Sequence, residues 1–281
     1  MIHTKLQYHR PAKAEEVCSI LDEHTNDAVV LGGGSWLLPR MNRHEVQANH
    51  IIDLRGLNLN TIKVEDDLVR MGAMVTYSDV LSSKELAEAI PLLPQVARGI
   101  TGGSQVRNLG TLAGSACFAN PSSDIPAVLV ALGTKLQIIG KKSEREVAAE
   151  DFFLDAFRVD LHPGEFVSSL VIPRHRLRSG YYKLKISASS WPIATASAII
   201  NDDTGEKSIT LGAVEPRPLR IDLSSVMDAE GVLQGVDISD FVCAKIVNPW
   251  SDILAAGEYR REVAGVVARR AIENLKEVRN V

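Results

Sequence analysis

The sequence predicts an α+β protein of about two domains, with helices and strands interspersed along the chain. Three observations lead there. The 281 residues, 45% of them hydrophobic and 23% charged, are enough to bury a sizeable core. The opening stretch alternates helix-period and short apolar segments. The last third is a series of strand-like runs followed by helices.

In order along the chain, Pro11 suits a first helical position, and Ala14, Val17, Cys18 and Leu21 follow the i, i+3, i+4, i+7 spacing of a helix with one apolar face. AVVL at 28–31 predicts a short buried strand that Gly32, Gly33 and Gly34 end sharply, and HIID at 50–53 predicts the next. Residues 1–58 therefore read as one α/β unit. From Leu59 the texture changes. TIKVE and LVRMGA predict a hairpin across Glu65, Asp66 and Asp67, and Ser78 is expected to cap a helix running through Leu86. A glycine-rich loop at 102–114, an apolar helix at 125–132, the strand TKLQIIG and the strand FVSSLVIP closed by Pro173 complete a second unit, 59–175. The basic, turn-prone RHRLRSG at 174–180 marks a boundary. Beyond it, strands near 181–187, 193–200 and 208–213 and then helices predict a smaller α+β domain, 176–281. Its last helix carries Val263, Val267, Ala271 and Leu275 on one face.

Composition excludes several function classes. A net charge of -4 with dispersed lysines and arginines gives no field for nucleic acid. No stretch approaches the roughly 18 apolar residues of a spanning helix, and the N-terminus lacks a secretory apolar run, so a cytoplasmic protein is expected. Cys18, Cys117 and Cys243 form no CxxC pair and are expected to be free thiols. They are also too few for an iron–sulfur cluster, which usually takes four thiolates. The seven histidines are scattered, and no Ser-His-Asp triad, paired catalytic carboxylates or metal set emerges.

Two glycine-rich segments can carry chemistry. Backbone amides that converge in a tight glycine turn form a partly positive nest suited to a pyrophosphate, and LGGGSW at 31–36 offers such a turn directly after a strand. Missing Cβ atoms at Gly32, Gly33 and Gly34 allow positive φ and close approach of a ligand, and Ser35 adds a hydroxyl. A dinucleotide fingerprint would need a glycine where Leu37 stands, and a P-loop would need Gly-Lys-Ser/Thr, so for this segment alone a plain turn is the better reading. The second segment, TGGSQVRNLGTLAGSACFANPSSD at 101–124, is glycine- and hydroxyl-rich with hardly a bulky side chain. Thr111 and Ser115 can donate to phosphate and Asp124 can accept from a ribose, or the segment is an ordered loop whose Asp124 caps the following helix.

In order, spacing and intervening sequence the two segments resemble the FAD-binding subunits of molybdenum hydroxylases, the family of the carbon monoxide dehydrogenase medium subunit and the xanthine dehydrogenase flavin domain. Leu31 to Trp36 fall on its first motif; Gly102, Gln105, Arg107, Asn108, Gly110, Thr111, Gly114, Pro121 and Asp124 fall on its second. Tyr8 and Pro11, IIDL with Arg55, FVSSLVIP, YYK at 181–183 and LGAVEPRPLR at 211–220 extend the likeness over essentially the whole chain.

The resemblance implies a two-part FAD-binding domain of the vanillyl-alcohol oxidase-like (PCMH) type followed by a smaller α+β C-terminal domain, with FAD extended between the first two parts. It implies pyrophosphate contacts at Gly32, Gly33, Gly34 and Ser35, phosphate or ribityl contacts at Thr111 and Gly114, and the adenosine ribose at Asp124. Val30, Leu31, Trp36, Thr101, Gly102 and Gly110 would line the site, with Ser115, Cys117 and Ser123 beside them and Phe166 and Val167 near the adenine. Lys183 would stand beside the isoalloxazine and stabilise negative charge on the reduced ring, and Tyr181 would stack on or shield it. Against the family pattern, Leu31, Ala113, Ser115 and Ser190 replace a small residue, a glycine, an asparagine and an aspartate, and ISASS replaces an arginine-rich run.

The implied function is electron transfer: FAD accepts electrons from a 2Fe-2S small subunit fed by a molybdopterin-binding large subunit, and passes them to NAD+, oxygen or another acceptor. The cysteine count agrees with clusters held on a partner, and it argues against the related benzoyl-CoA reductase subunit with its extra cluster. The alternatives are a structural or assembly subunit without FAD and a stand-alone flavin oxidoreductase.

Overall fold

The apolar runs resolve into sheets joined by helices in the computed structural model, which describes residues 5–275. β1 (Gln7–His9), α1 (Ala14–Glu23), β2 (Ala28–Leu31), α2 (Leu37–Asn42) and β3 (His50–Asp53) form a parallel sheet in the order β1-β3-β2, with α1 leading from β1 to the far edge strand β2 and α2 crossing from β2 back to the central β3. In register, Ala28 lies opposite His50 and Leu31 opposite Asp53. The first helix starts at Ala14, not at Pro11, because Lys13 is extended (φ -133°, ψ 146°) and holds the N-cap position. The apolar face of α1 buries Val17, Cys18 and Leu21 as expected.

The expected hairpin forms from β4 (Ile62–Val64) and β5 (Leu68–Gly72). After it the chain is more helical than its sequence suggests. Thr76, not Ser78, caps α3 (Tyr77–Ser82), in a capping box with Asp79, and Ser83 caps a separate α4 (Lys84–Ala89). Ser78 sits inside α3 and donates to Asn108 Oδ1 at 2.5 Å. Next come α5 (Leu92–Arg98), α6 (Gly103–Leu109) and α7 (Leu112–Phe118), so the glycine-rich loop is largely two short helices. Then follow α8 (Asp124–Ala131), β6 (Lys135–Ile139), β7 (Glu144–Ala148), α9 (Ala149–Phe152), the small hairpin β8 (Phe153–Asp155) and β9 (Arg158–Val159), and β10 (Phe166–Pro173). The second sheet runs β4-β5-β10-β6-β7 with antiparallel pairs.

The boundary read at 174–180 is partly strand, since β11 (Leu177–Lys185) begins inside it. β12 (Pro192–Asn201), β13 (Lys207–Gly212) and β14 (Leu219–Asp222) complete an antiparallel sheet in sequence order. Sequence reading missed β14. α10 (Ile238–Cys243) and α11 (Gly257–Glu273) cover this sheet, with Leu275 beyond the end of α11 but still packed on the same core.

One large core joins α1, the second sheet, α3 to α5 and α7 to α9, and it also takes in Leu177, Tyr181 and Ile199 from the third sheet. Another lies under α10 and α11. Between them runs α8, buried along its whole length. Its Val128 and Leu129 enter the large core, while Ala127 packs so closely on β13 that a Cβ on Gly212 would meet it at 2.8 Å. A helix apolar on every face is what a position between two layers requires. No helix among the described residues is long and apolar enough to cross a membrane.

Candidate functional site

The two glycine-rich segments lie against each other. A Cβ on Gly33 would fall 1.5 Å from the Leu109 carbonyl oxygen, one on Gly32 3.3 Å from Thr111 Oγ1, and one on Gly110 3.3 Å from Ser35 Oγ. Of the positive φ that all three glycines of the first segment permit, only Gly34 makes use, at 71°. At Gly33 the backbone of the second segment leaves no room for a side chain.

The first segment leaves its donors open. Among the described residues, none of the five consecutive N–H groups of Gly32 to Trp36 donates to a protein acceptor, and the Ser35 hydroxyl is also unbonded. Gly32, Gly33, Gly34 and Ser35 are half-buried. Amides that no protein group takes and that water can reach are free to bind an acceptor brought by a ligand. A pyrophosphate supplies one, and the residues present fit it.

The second segment is mostly committed to the protein itself. Thr111 Oγ1 accepts from Gly114 N at 3.0 Å as the cap of α7, and the exposed backbone of Gly114 borders it. Ser115 Oγ and Tyr77 Oη are 2.5 Å apart, and burial pushes the Tyr77 phenol above its ordinary range. Thr101 Oγ1 donates to the Ser190 carbonyl at 3.0 Å, which ties the segment to the β11–β12 connection. Gly102 begins α6 at a φ of 100° and is exposed. Cys117 is half-buried, its thiol pushed up to about 12 by burial.

Asp124 is 4% exposed. Its Oδ1 accepts from Tyr181 Oη at 2.5 Å and its Oδ2 pairs with Lys183 Nζ at 2.8 Å. The ammonium also donates to the Gly99 carbonyl at 3.1 Å. Two implied placements are thereby incompatible: Asp124 and Lys183 are in contact and cannot lie at opposite ends of an extended dinucleotide. Nor does Asp124 cap its helix, for Ser123 holds the cap position without a side-chain bond. Tyr181 belongs to the large core and is not a free stacking ring. Burial, followed by the Asp124 charge, raises its phenol well above the usual value. Phe166 and Val167 point into the same core, 2% and 4% exposed, and offer a ligand no side-chain surface. Val30 and Leu31 close the strand that delivers the first segment.

Sequence reading missed an aromatic ridge beside the two segments. Trp36, 37% exposed, lies 4.8 Å from Phe118 and 5.7 Å from Trp191 between ring centroids, and Phe118 lies 5.2 Å from Phe157. Nothing local in the sequence signals it, because its rings come from distant parts of the chain. Of the histidines, His3 is outside the described residues, while His24 stacks on His50 at 3.6 Å and His9 Nε2 reaches His50 Nδ1 at 2.9 Å.

Residues 4–175 match the model of the FAD binding domain in molybdopterin dehydrogenase. The chain is 30% identical to the carbon monoxide dehydrogenase medium chain of Afipia carboxidovorans, over 98% of each. It is 29% identical to the glyceraldehyde dehydrogenase medium chain of Sulfolobus acidocaldarius, over 98% of this chain and 100% of that one. Its fold superposes on carbon monoxide dehydrogenase from Hydrogenophaga pseudoflava with a TM-score of 0.86 at 29% identity, covering 98% of both chains.

Proposed function

Since this chain belongs to the family of FAD-binding domains of molybdopterin dehydrogenases, we propose that it is the electron-transfer flavoprotein of a multi-subunit molybdenum hydroxylase. It takes electrons from a 2Fe-2S partner subunit and delivers them to a separate acceptor such as NAD+ or oxygen, while a molybdopterin-binding subunit oxidises the organic substrate. Residues 1–58 and 59–175 form the two halves of the flavin region and 176–281 the C-terminal unit. The three free thiols agree with a reducing, cytoplasmic setting.

The row of open amides from Gly32 to Trp36 carries this reading. They and Ser35 take the pyrophosphate, and Gly102, Gly110, Thr111 and Gly114 border its path. FAD, when bound, supplies a redox centre able to exchange electrons with a cluster and with an acceptor. The protein's part is to bind and to place charge. Lys183, fixed by Asp124 and the Gly99 carbonyl, presents a positive charge that favours negative charge on the ring beside it. Because Asp124 touches Lys183, it goes with the ring end of the cofactor and leaves the adenosine ribose to other groups. No side chain acts as acid or base on the organic substrate.

An absorbance spectrum of the purified full chain, with the released cofactor identified by mass, tests the reading. FAD near one equivalent supports it. A folded chain that holds none and takes up none when FAD is added leaves the structural-subunit alternative.

A further inference from the structure

The turn that carries Asp124 is held from outside its own unit. α7 ends at Ala119 with a φ of 45°, Asn120 Oδ1 accepts from Ser122 N at 3.0 Å, and Ser123 N donates to the Asn120 carbonyl at 2.9 Å. Pro121, Ser122, Ser123 and Asp124 are all buried. With so little contact with water, the hydroxyl of Ser122 needs a protein partner. It donates to Asp252 Oδ2 at 2.8 Å, across 130 residues of sequence.

Asp252 is itself the hub of a network in the C-terminal unit. Its Oδ2 also accepts from Trp250 Nε1 at 3.2 Å, and its Oδ1 accepts from the Leu254 amide at 2.8 Å and from Arg260 Nη2 at 2.5 Å. Arg260, on α11, is fully buried. Its Nη1 donates to the Ile193 and Ala213 carbonyls at 2.6 and 2.9 Å, at the start of β12 and just after β13. A guanidinium carried so deep is tolerable only when its donors are matched, and here they are matched by two strand ends and one carboxylate. Asp252 is therefore immobilised relative to the third sheet, the same sheet whose β11 bears Tyr181 and Lys183.

We propose that Asp252 and Arg260 are positioning residues for the flavin site: through Ser122 they fix the 121–124 turn against the third sheet, so that Asp124 meets Tyr181 and Lys183. The turn is clamped at two points two residues apart, Ser122 by the carboxylate of Asp252 and Asp124 by the phenol and ammonium on β11. Freeing one point lets Asp124 swing about the other, and the Lys183 charge loses its fixed place. This inference rests on the proposed flavin role of Lys183.

S122A tests it in the full chain, because it removes the bridging hydroxyl and leaves the Arg260–Asp252 pair whole. FAD affinity is read by fluorescence titration, and the midpoint potential of bound FAD by equilibration with reference dyes. The expected result is FAD binding about tenfold weaker, the worth of a hydrogen bond to a charged group, together with a midpoint more negative than that of the parent chain. Unchanged affinity and midpoint overturn the inference. So does weaker binding with an unchanged midpoint, since a merely structural contact would give that. A parent chain that binds no FAD overturns the proposed function itself, an outcome visible before any variant is made.

Discussion

The two glycine-rich segments look alike in composition and behave oppositely in the fold. Residues 31–36 keep a row of backbone donors unspent, while residues 101–124 use their hydroxyls and carboxylate on caps, a phenol, a lysine and a remote aspartate. Glycine and serine content reports only that side chains are small. Whether the polar groups are left for a ligand depends on what packs behind them. The second segment forms the rigid bed, and the first is laid over it with its amides open.

The contact between the two segments offers the largest effect. Gly33→Ala places a methyl 1.5 Å from the Leu109 carbonyl oxygen, a backbone atom that cannot rotate aside. We expect a loss of about 3 kcal/mol in denaturant unfolding, the upper range for overpacking, and no FAD retained. Gly34→Ala meets mainly the side-chain tips of Leu31 and Leu38 and a φ of 71°, so it should cost only about 1–2 kcal/mol. Equal losses at the two positions would mean that the segments are not docked as described.

Much of this contrast was out of reach of the sequence. The strands 28–31, 50–53 and 166–173 and the helices at 14–23 and 124–131 were legible because apolar period and bounding glycines or prolines agree there. The two short helices in 101–124 were not, since glycine and serine are poor helix formers and tertiary contact overrides their propensity. Within the site, the first motif was legible as a turn with open amides. Asp124 was legible as important, but its partners, 57 and 59 residues away, leave no local trace. Asp252, whose partner Ser122 lies 130 residues away, leaves no local trace for the same reason.

An intermediate effect separates the bed from its clamp. Burial opposes ionisation of Asp252, but the Leu254 amide, the Ser122 hydroxyl, Arg260 and the Trp250 indole outweigh it and hold the carboxyl below its usual range. A depressed carboxylate contributes stability that is fully present above the unfolded value, near 3.9, and is lost as pH falls through the lower folded value. Asp252→Asn should therefore cost about 2 kcal/mol at neutral pH, as expected for hydrogen bonds to a charged group. The difference in melting temperature from the parent chain should narrow as pH drops below about 4. A difference that stays constant down to pH 2 would show that the carboxylate charge is not what holds the 121–124 turn.

The smallest effect probes whether the second segment is as closed as its hydrogen bonds imply. Cys117 lies on α7 between Thr111 and the 121–124 turn, and burial pushes its thiol up to about 12. Only the thiolate attacks an alkylating reagent, so at a given pH Cys117 should react more slowly than a free thiol of pKa near 8.5. Mass spectrometry of peptides after timed iodoacetamide treatment measures this directly, with a model thiol as reference. Fast labelling of Cys117 in the folded chain would mean that α7 opens to solvent. The rigid bed that keeps the amides of Gly32 to Trp36 aligned would then have to be supplied by FAD itself, and the contrast between the two segments would hold only in the bound form.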